Sequence, residues 1–185
     1  MTTQRIGFIG QGWIGKNYAD CFEARGFDVV RYSLEEPYVG NRQRIKDCRM
    51  VFVAVPTPTT PTGFDFSPVV SALKIVSPGS TAVIKSTILP STTEKLQGLF
   101  PDILVMHSPE FLVEKTAAYD AANPSRNIVG IPRDNAEYRA RAAEVLSVLP
   151  KAPFALICPA KIIGNGVHHM DRGEFGRRGR CFQET

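Results

Sequence analysis

Two carboxylates stand four residues apart in the run Ser108-Pro109-Glu110-Phe111-Leu112-Val113-Glu114. On one helical turn, Glu110 and Glu114 share a face. Like charges at that spacing repel, and burial together with repulsion raises one pKa toward the range of a general base. The alternative is a pair of solvated acids beside Lys115. A second signature lies near the N-terminus, where Gly10-Gln11-Gly12-Trp13-Ile14-Gly15 follows the pattern G-x-G-x-x-G. Gly10 permits a tight turn, Gly12 lets the backbone approach a pyrophosphate, and Gly15 lets helix and strand pack closely. The free N–H groups of a helix opening at Trp13 and Ile14 then face the anion.

These residues need a scaffold, and the apolar pattern supplies one. Arg5 to Ile9, Asp28 to Tyr32, Met50 to Val55, Thr81 to Lys85, Ile103 to Met106, Asn127 to Ile131 and Phe154 to Ile157 read as strands. Trp13 to Arg25, Ser67 to Val76 and Asn135 to Leu149 read as helices. Ser91-Thr92-Thr93-Glu94 has the S-x-x-E spacing of a capping box, which predicts a helix start. Strands alternating with helices imply crossover units and a parallel sheet, and the right-handed crossover rule favours a doubly wound one. The glycine turn follows the first strand and opens the first helix, which is the context a dinucleotide fingerprint requires.

A dinucleotide site expects an acid at the end of the second strand, to hold the adenosine ribose. Ser33 stands there instead, with Arg31 two residues before it and Glu35 and Glu36 after. Arg31 and Ser33 suit a 2′-phosphate and hence NADP; Glu35 turned inward suits NAD, which is the preferred reading. Pro56 and Pro58 stiffen the loop Val55-Pro56-Thr57-Pro58 at the carboxyl end of the third strand, where open parallel sheets bind ligands. Ser86 and Thr87 end the fourth strand on the same side.

Four blocks in this order resemble the N-terminal domain of the UDP-glucose and GDP-mannose dehydrogenases. They are the glycine turn, Val53-Ala54-Val55-Pro56-Thr57-Pro58, Ile84-Lys85-Ser86-Thr87 running on to Thr93, and the Ser108 to Glu114 block followed by Asn123-Pro124-Ser125-Arg126. The resemblance implies a Rossmann-like α/β domain, a doubly wound parallel sheet over residues 1–161, followed by an irregular Gly/Arg-rich tail over 162–185. It implies NAD bound by Gly10, Gly12, Trp13, Ile14, Gly15, Ser33, Val55, Pro56, Thr57, Ser86 and Thr87. It also implies a catalytic set in which Thr87 helps position a water and the substrate, Glu110 helps hold the water, and Glu114 assists hydrolysis of a covalent thioester. The substrate expected is a nucleotide sugar oxidised at its C6 alcohol, and relatives of full length are homodimers. The family usually has Gly where this chain has Ser91. Arg126 is open to two readings, a substrate phosphate or a neighbouring domain. Other classes remain in view: a relative of the β-hydroxyacid dehydrogenases, or a non-catalytic dinucleotide-binding module.

The family's nucleophile is a cysteine beyond this stretch, and none of Cys21, Cys48, Cys158 and Cys181 sits in a matching motif. The four are scattered without metal-ligand spacing, so no metal is expected and a reducing cytoplasm is. The pattern also stops near Lys161, and the last 24 residues carry five glycines and four arginines, which suggests a frameshift or truncation and no turnover by this chain alone. Composition excludes other classes. The chain has 185 residues, 43% hydrophobic and 22% charged, so it can bury a core and is not disordered throughout. A net charge of +4 with interspersed signs marks no nucleic-acid stripe, and no apolar run suits a membrane span.

Overall fold

Seven strands read as near-continuous apolar runs because both of their faces are largely buried. The computed structural model describes residues 4–61, 63–160 and the backbone of 182–183. Along the chain lie β1 (Arg5–Ile9), α1 (Trp13–Ala24), β2 (Asp28–Tyr32), a 3-10 segment (Val39–Asp47), β3 (Met50–Val53) and a small hairpin of β4 (Thr59–Thr60) with β5 (Gly63–Phe64). They are followed by α2 (Ser67–Leu73), β6 (Thr81–Ile84), α3 (Thr92–Leu99), β7 (Leu104–His107), a 3-10 turn (Glu114–Thr116) and α4 (Ala117–Ala122). β8 (Asn127–Ile131), α5 (Ala136–Val148), β9 (Ala155–Pro159) and β10 (Phe182–Gln183) complete the order.

The main sheet runs β10-β9-β8-β7-β6-β3-β1-β2. Its two faces bury different side chains. Phe8, Phe52, Val83 and Met106 pack with Tyr18 and Phe22 of α1 and with Tyr138 and Val145 of α5. Val51, Val53, Ile84 and Val105 pack with Val69 and Leu73 of α2 and Leu96 of α3. Phe8 stacks on Phe52 at 5.1 Å between ring centroids, and Phe22 meets both rings edge-on, so α1 is anchored over the centre of the sheet. β1 pairs with β2 on one side and β3 on the other. That reversal of strand order opens a crevice at their carboxyl ends.

The parallel sheet expected from the alternation holds from β2 through β7 and between β8 and β9. It fails at β7 and β8, which pair antiparallel. The reason is local. The segment between them does not cross back over the sheet; its only α-helix, α4, has six residues and packs beside α1. The stretch 108–126 therefore leaves the sheet and returns to it at the carboxyl end of β7. β10 pairs antiparallel with β9, so part of the stretch read as an irregular tail carries backbone ladder bonds. The other tail readings, and the frameshift suggested near Lys161, lie outside the described residues.

The capping box at Ser91 does not form. Ser91 adopts φ 66°, ψ 3°, and its hydroxyl caps nothing on α3 among the described residues. It is the one non-glycine residue with positive φ among those described. An L-residue in the left-handed region costs roughly 1–2 kcal/mol, and a glycine gives back roughly 0.5 kcal/mol through its freer unfolded chain. Ser91→Gly should thus raise stability by about 1 kcal/mol, read as a higher urea midpoint with unchanged m. The 3-10 segment was not expected from periodicity, and it buries only Ile45, so it leaves no apolar stripe to detect.

Candidate functional site: a dinucleotide turn beside an ion-paired pocket

The glycine turn is built as its spacing predicts. Gly10 donates to the Tyr32 carbonyl at 2.9 Å and stands at φ 91°. A Cβ on Gly10 would lie 2.1 Å from the Ala54 carbonyl oxygen, and one on Gly15 would lie 1.9 Å from the Gly10 oxygen. Turn, helix and the end of β3 are therefore in backbone contact. A Cβ on Gly12 would meet nothing within 4 Å among the described residues, so the face of the turn is open. Gly12 is the N-cap of α1, no described side chain caps the helix, and its first turn carries no acid. Uncapped N–H groups at the positive end of a 12-residue helix suit a diphosphate. Trp13 is partly exposed on this turn, while Ile14 leans against the core.

At the ribose end, Arg31 is committed elsewhere. Its guanidinium donates to Glu23 at 2.9 and 2.7 Å, to Asp20 at 2.6 Å and to the Gln11 side chain at 3.4 Å. Burial works against the charge, but the Glu23 and Asp20 carboxylates more than compensate and push its pKa up. The Ser33 hydroxyl donates to the Glu35 carbonyl at 2.8 Å, and the Glu35 side chain is exposed. The structure thus brings Ser33 to the end of β2 without a cation free at Arg31.

Next along the crevice, Ser86 turns its hydroxyl inward. It accepts from the Val55 N–H at 2.9 Å and donates to the Val55 carbonyl at 2.7 Å. Thr57 donates to the Thr87 carbonyl at 2.7 Å. Val55, Pro56 and Thr57 are consequently tied to the end of β6, with Pro56 and Thr87 at the surface.

The two glutamates do not share a helical turn. Residues 108–113 are extended loop, and Glu114 begins the 3-10 turn with its side chain exposed. Pro109 and the antiparallel return toward β8 favour a loop that stays open. Glu110 instead meets a cation: the Lys85 ammonium lies 3.0 Å away, with side-chain exposures of 4% and 9% for the pair. Glu110 Oε1 accepts from the N–H groups of Phe111 at 2.7 Å and Leu112 at 3.1 Å. Tyr18 lies beneath, with the ammonium 4.3 Å from its ring centroid. Burial, then the Glu110 charge, push the Tyr18 phenol well above its ordinary pKa.

Lys85, Glu110, Ser108, Asn123 and Arg126 line a pocket of about 100 Å³. Arg126 stacks on Phe111 at 5.2 Å. Asp120 accepts from Val113 N–H at 3.0 Å and Thr116 Oγ1 at 2.7 Å, which steadies the turn where Glu114 sits and lowers the Asp120 pKa. Lys85, Tyr18 and Asp120 also line this pocket, and the sequence motifs assign none of them a role, Lys85 standing there only as part of the Ile84 to Thr87 block. A lysine closing an otherwise apolar buried strand was the available signal for the first; nothing local marks the others.

His107, at the end of β7, is 2% exposed, and among the described residues neither ring nitrogen has a hydrogen-bond partner of good geometry. Burial, then the Lys85 ammonium, lower its pKa to about 4, against a weaker pull from the Ser86 backbone. The unfolded imidazole takes up its proton near pH 6.5, so between about pH 6.5 and 4 the unfolded chain binds more protons. Stability then falls as pH falls through that window. Urea unfolding should show a loss of about 2 kcal/mol from pH 7 to pH 5, and His107→Gln should flatten that slope.

Strand reversal at β1, an uncapped helix N-terminus behind a bare glycine turn, and a rigid loop at the end of β3 define a dinucleotide-binding α/β domain. The family model described as "UDP-glucose/GDP-mannose dehydrogenase family, NAD binding domain" matches residues 39–148, and the chain belongs to that family. It is 28% identical over 181 residues to UDP-glucose 6-dehydrogenase AglM of Haloferax volcanii, covering 71% of this chain and 42% of that protein. It is 36% identical over 109 residues to UDP-glucose 6-dehydrogenase of Streptococcus pneumoniae, covering 56% and 28%. The solved UDP-glucose dehydrogenase of Pyrobaculum islandicum superposes with a TM-score of 0.72 at 22% identity, covering 86% of this chain and 47% of that one, a likeness of fold. The chain thus spans less than half the length of these relatives. Among the described residues, no helix is long and apolar enough to cross a membrane.

Proposed function

We propose that this chain is the coenzyme-binding part of a cytoplasmic oxidoreductase that takes the C6 alcohol of a UDP- or GDP-linked sugar to the acid, working as a homodimer once completed by the remaining family domains. The single observation that carries the reading is the glycine turn, whose open face and uncapped helix N-terminus fit a diphosphate. Each bound coenzyme would supply a two-electron oxidant, so the passage from alcohol through aldehyde to acid would consume two NAD in succession. Gly10, Gly12 and Gly15 would hold its diphosphate, and Val55, Pro56 and Thr57 would border its second half. Glu114, exposed four residues after Glu110, would be the carboxylate that assists thioester hydrolysis, and Thr87 lies exposed at the same end of the sheet.

The coenzyme taken is NAD. A 2′-phosphate arriving at Ser33 finds Arg31 already engaged by Asp20 and Glu23. The chain alone binds without turnover, because the described thiols, Cys21, Cys48 and Cys158, are placed for packing. Cys21 donates to the Ala121 carbonyl and Cys48 to the Arg44 carbonyl, each at 3.6 Å, and burial pushes the Cys48 thiol up to about 11. Calorimetry with both coenzymes tests the reading: NAD should bind about tenfold or more tightly than NADP, a difference of roughly 1.4 kcal/mol. Equal or tighter NADP binding overturns the preference, and uptake of neither overturns the assignment.

A further inference from the structure

We propose that Lys85 and Ser86 are paired positioning residues: Lys85 holds the loop that carries Glu110, and Ser86 holds the loop that carries Val55, Pro56 and Thr57. The inference rests on reading both loops as site loops. It starts from the sheet, in which β6 lies between β3 and β7. The two residues that follow β6 therefore stand between the loops leaving both neighbours. Successive side chains of an extended chain point to opposite sides, and here each reaches a different loop.

Lys85 is 3% exposed and lies on the α1 side, over the Tyr18 ring. Its ammonium contacts Ser108 Oγ at 3.4 Å and Glu110 Oε2 at 3.0 Å. A buried ammonium persists only with a partner. The partner is a carboxylate whose other oxygen gathers the Phe111 and Leu112 N–H groups. One ion pair thus sets the course of the loop that ends at Glu114. Ser86, also 3% exposed, spends its hydroxyl on both polar groups of Val55. Ser86 shapes the coenzyme loop from behind, and its hydroxyl is not presented to a ligand. In each case the gain is placement of groups that must lie within a few tenths of an ångström of their working geometry.

Amide hydrogen exchange on the full chain separates the two roles. Ser86→Ala should speed exchange at the Val55 amide about tenfold, the loss of one buried hydrogen bond. It should also weaken NAD binding about fivefold, while Phe111 and Leu112 keep their rates. Lys85→Met should speed Phe111 and Leu112 by about tenfold or more, since the carboxylate that gathers them loses its anchor, and should leave Val55 unchanged. Lys85→Met strands a buried charge, so the double variant Lys85→Met with Glu110→Gln, which removes both charges, is read at the same amides in case the single variant does not fold. Faster exchange at all three amides in every variant would mean general packing and overturn the proposal. Wild-type rates at Phe111 and Leu112 in the double variant, or at Val55 in Ser86→Ala, would overturn the corresponding half. Because the amide rates are read without ligand, a chain that takes up no NAD sinks the coenzyme reading while the positioning roles are still decided.

Discussion

Gly10→Ala should abolish measurable NAD binding and lower stability by about 3 kcal/mol or more, the sum of a left-handed backbone and an overpacked contact. At φ 91° an L side chain is strained before any neighbour is considered. The added methyl would also lie 2.1 Å from the Ala54 oxygen and 2.7 Å from its carbonyl carbon. Both atoms are backbone, tied by the Ala54 N–H to the Ile9 carbonyl at 2.8 Å, so the neighbour cannot rotate away. Relief has to come from the turn itself. Gly15 contacts the Gly10 oxygen, so a shift at Gly10 moves the first turn of α1 and the N–H groups aimed at the diphosphate. Urea unfolding and calorimetry on the same sample check both effects. NAD affinity within threefold of wild type in a folded Gly10→Ala variant would place the coenzyme somewhere other than this turn.

The second large effect belongs to Gln97. Gln97→Leu should cost about 3 kcal/mol, because it strips the Ile103 carbonyl, the Val105 N–H and the Tyr138 hydroxyl of the Gln97 bond at roughly 1 kcal/mol or more each, while the Phe100 carbonyl keeps the Ile103 N–H at 3.5 Å. The Gln97 amide nitrogen donates to the Phe100 and Ile103 carbonyls, each at 2.9 Å. Its oxygen accepts from the Val105 N–H at 2.8 Å and from the Tyr138 hydroxyl. One side chain thereby closes the exit of α3, the start of β7 and the face of α5. Burial pushes the Tyr138 phenol up to about 12, so it stays a neutral donor throughout the working range. Leucine has nearly the right volume and none of the hydrogen bonds, so the loss reports the network rather than a cavity. Tyr138→Phe removes a single donor and should cost only about 1 kcal/mol. Chemical denaturation ranks the two variants; a Gln97→Leu loss below that of Tyr138→Phe would show that the network carries little. A domain of this size is stable by about 5–15 kcal/mol, so the first substitution removes a large share.

Local pattern was enough for much of the fold. The strands at Arg5–Ile9, Asp28–Tyr32 and Asn127–Ile131 were legible as apolar runs, and α1 and α5 as periodic stretches with the right length. The glycine turn was legible because its chemistry is backbone chemistry, dictated by which residues lack a Cβ. Side-chain pairing was not legible. The spacing of Glu110 and Glu114 pointed to two facing carboxylates, whereas Glu110 pairs with Lys85, which the sheet brings from the end of another strand. Arg31 looked available to a phosphate, whereas α1 lays Asp20 and Glu23 across it.

What the sequence alone determined is the alternation of strands and helices, the diphosphate-shaped turn and the family to which its motifs belong. Those depend on residues near one another in the chain, where periodicity and glycine spacing act directly. Only the tertiary structure decided that β8 runs against β7, returning the chain at the end of the sheet where it left, and that Lys85 and Ser86 face two different loops. Strand direction and ion pairing are settled by which surfaces can be buried together and which charges must be compensated once water is excluded. Those partners meet only after the chain has closed on itself.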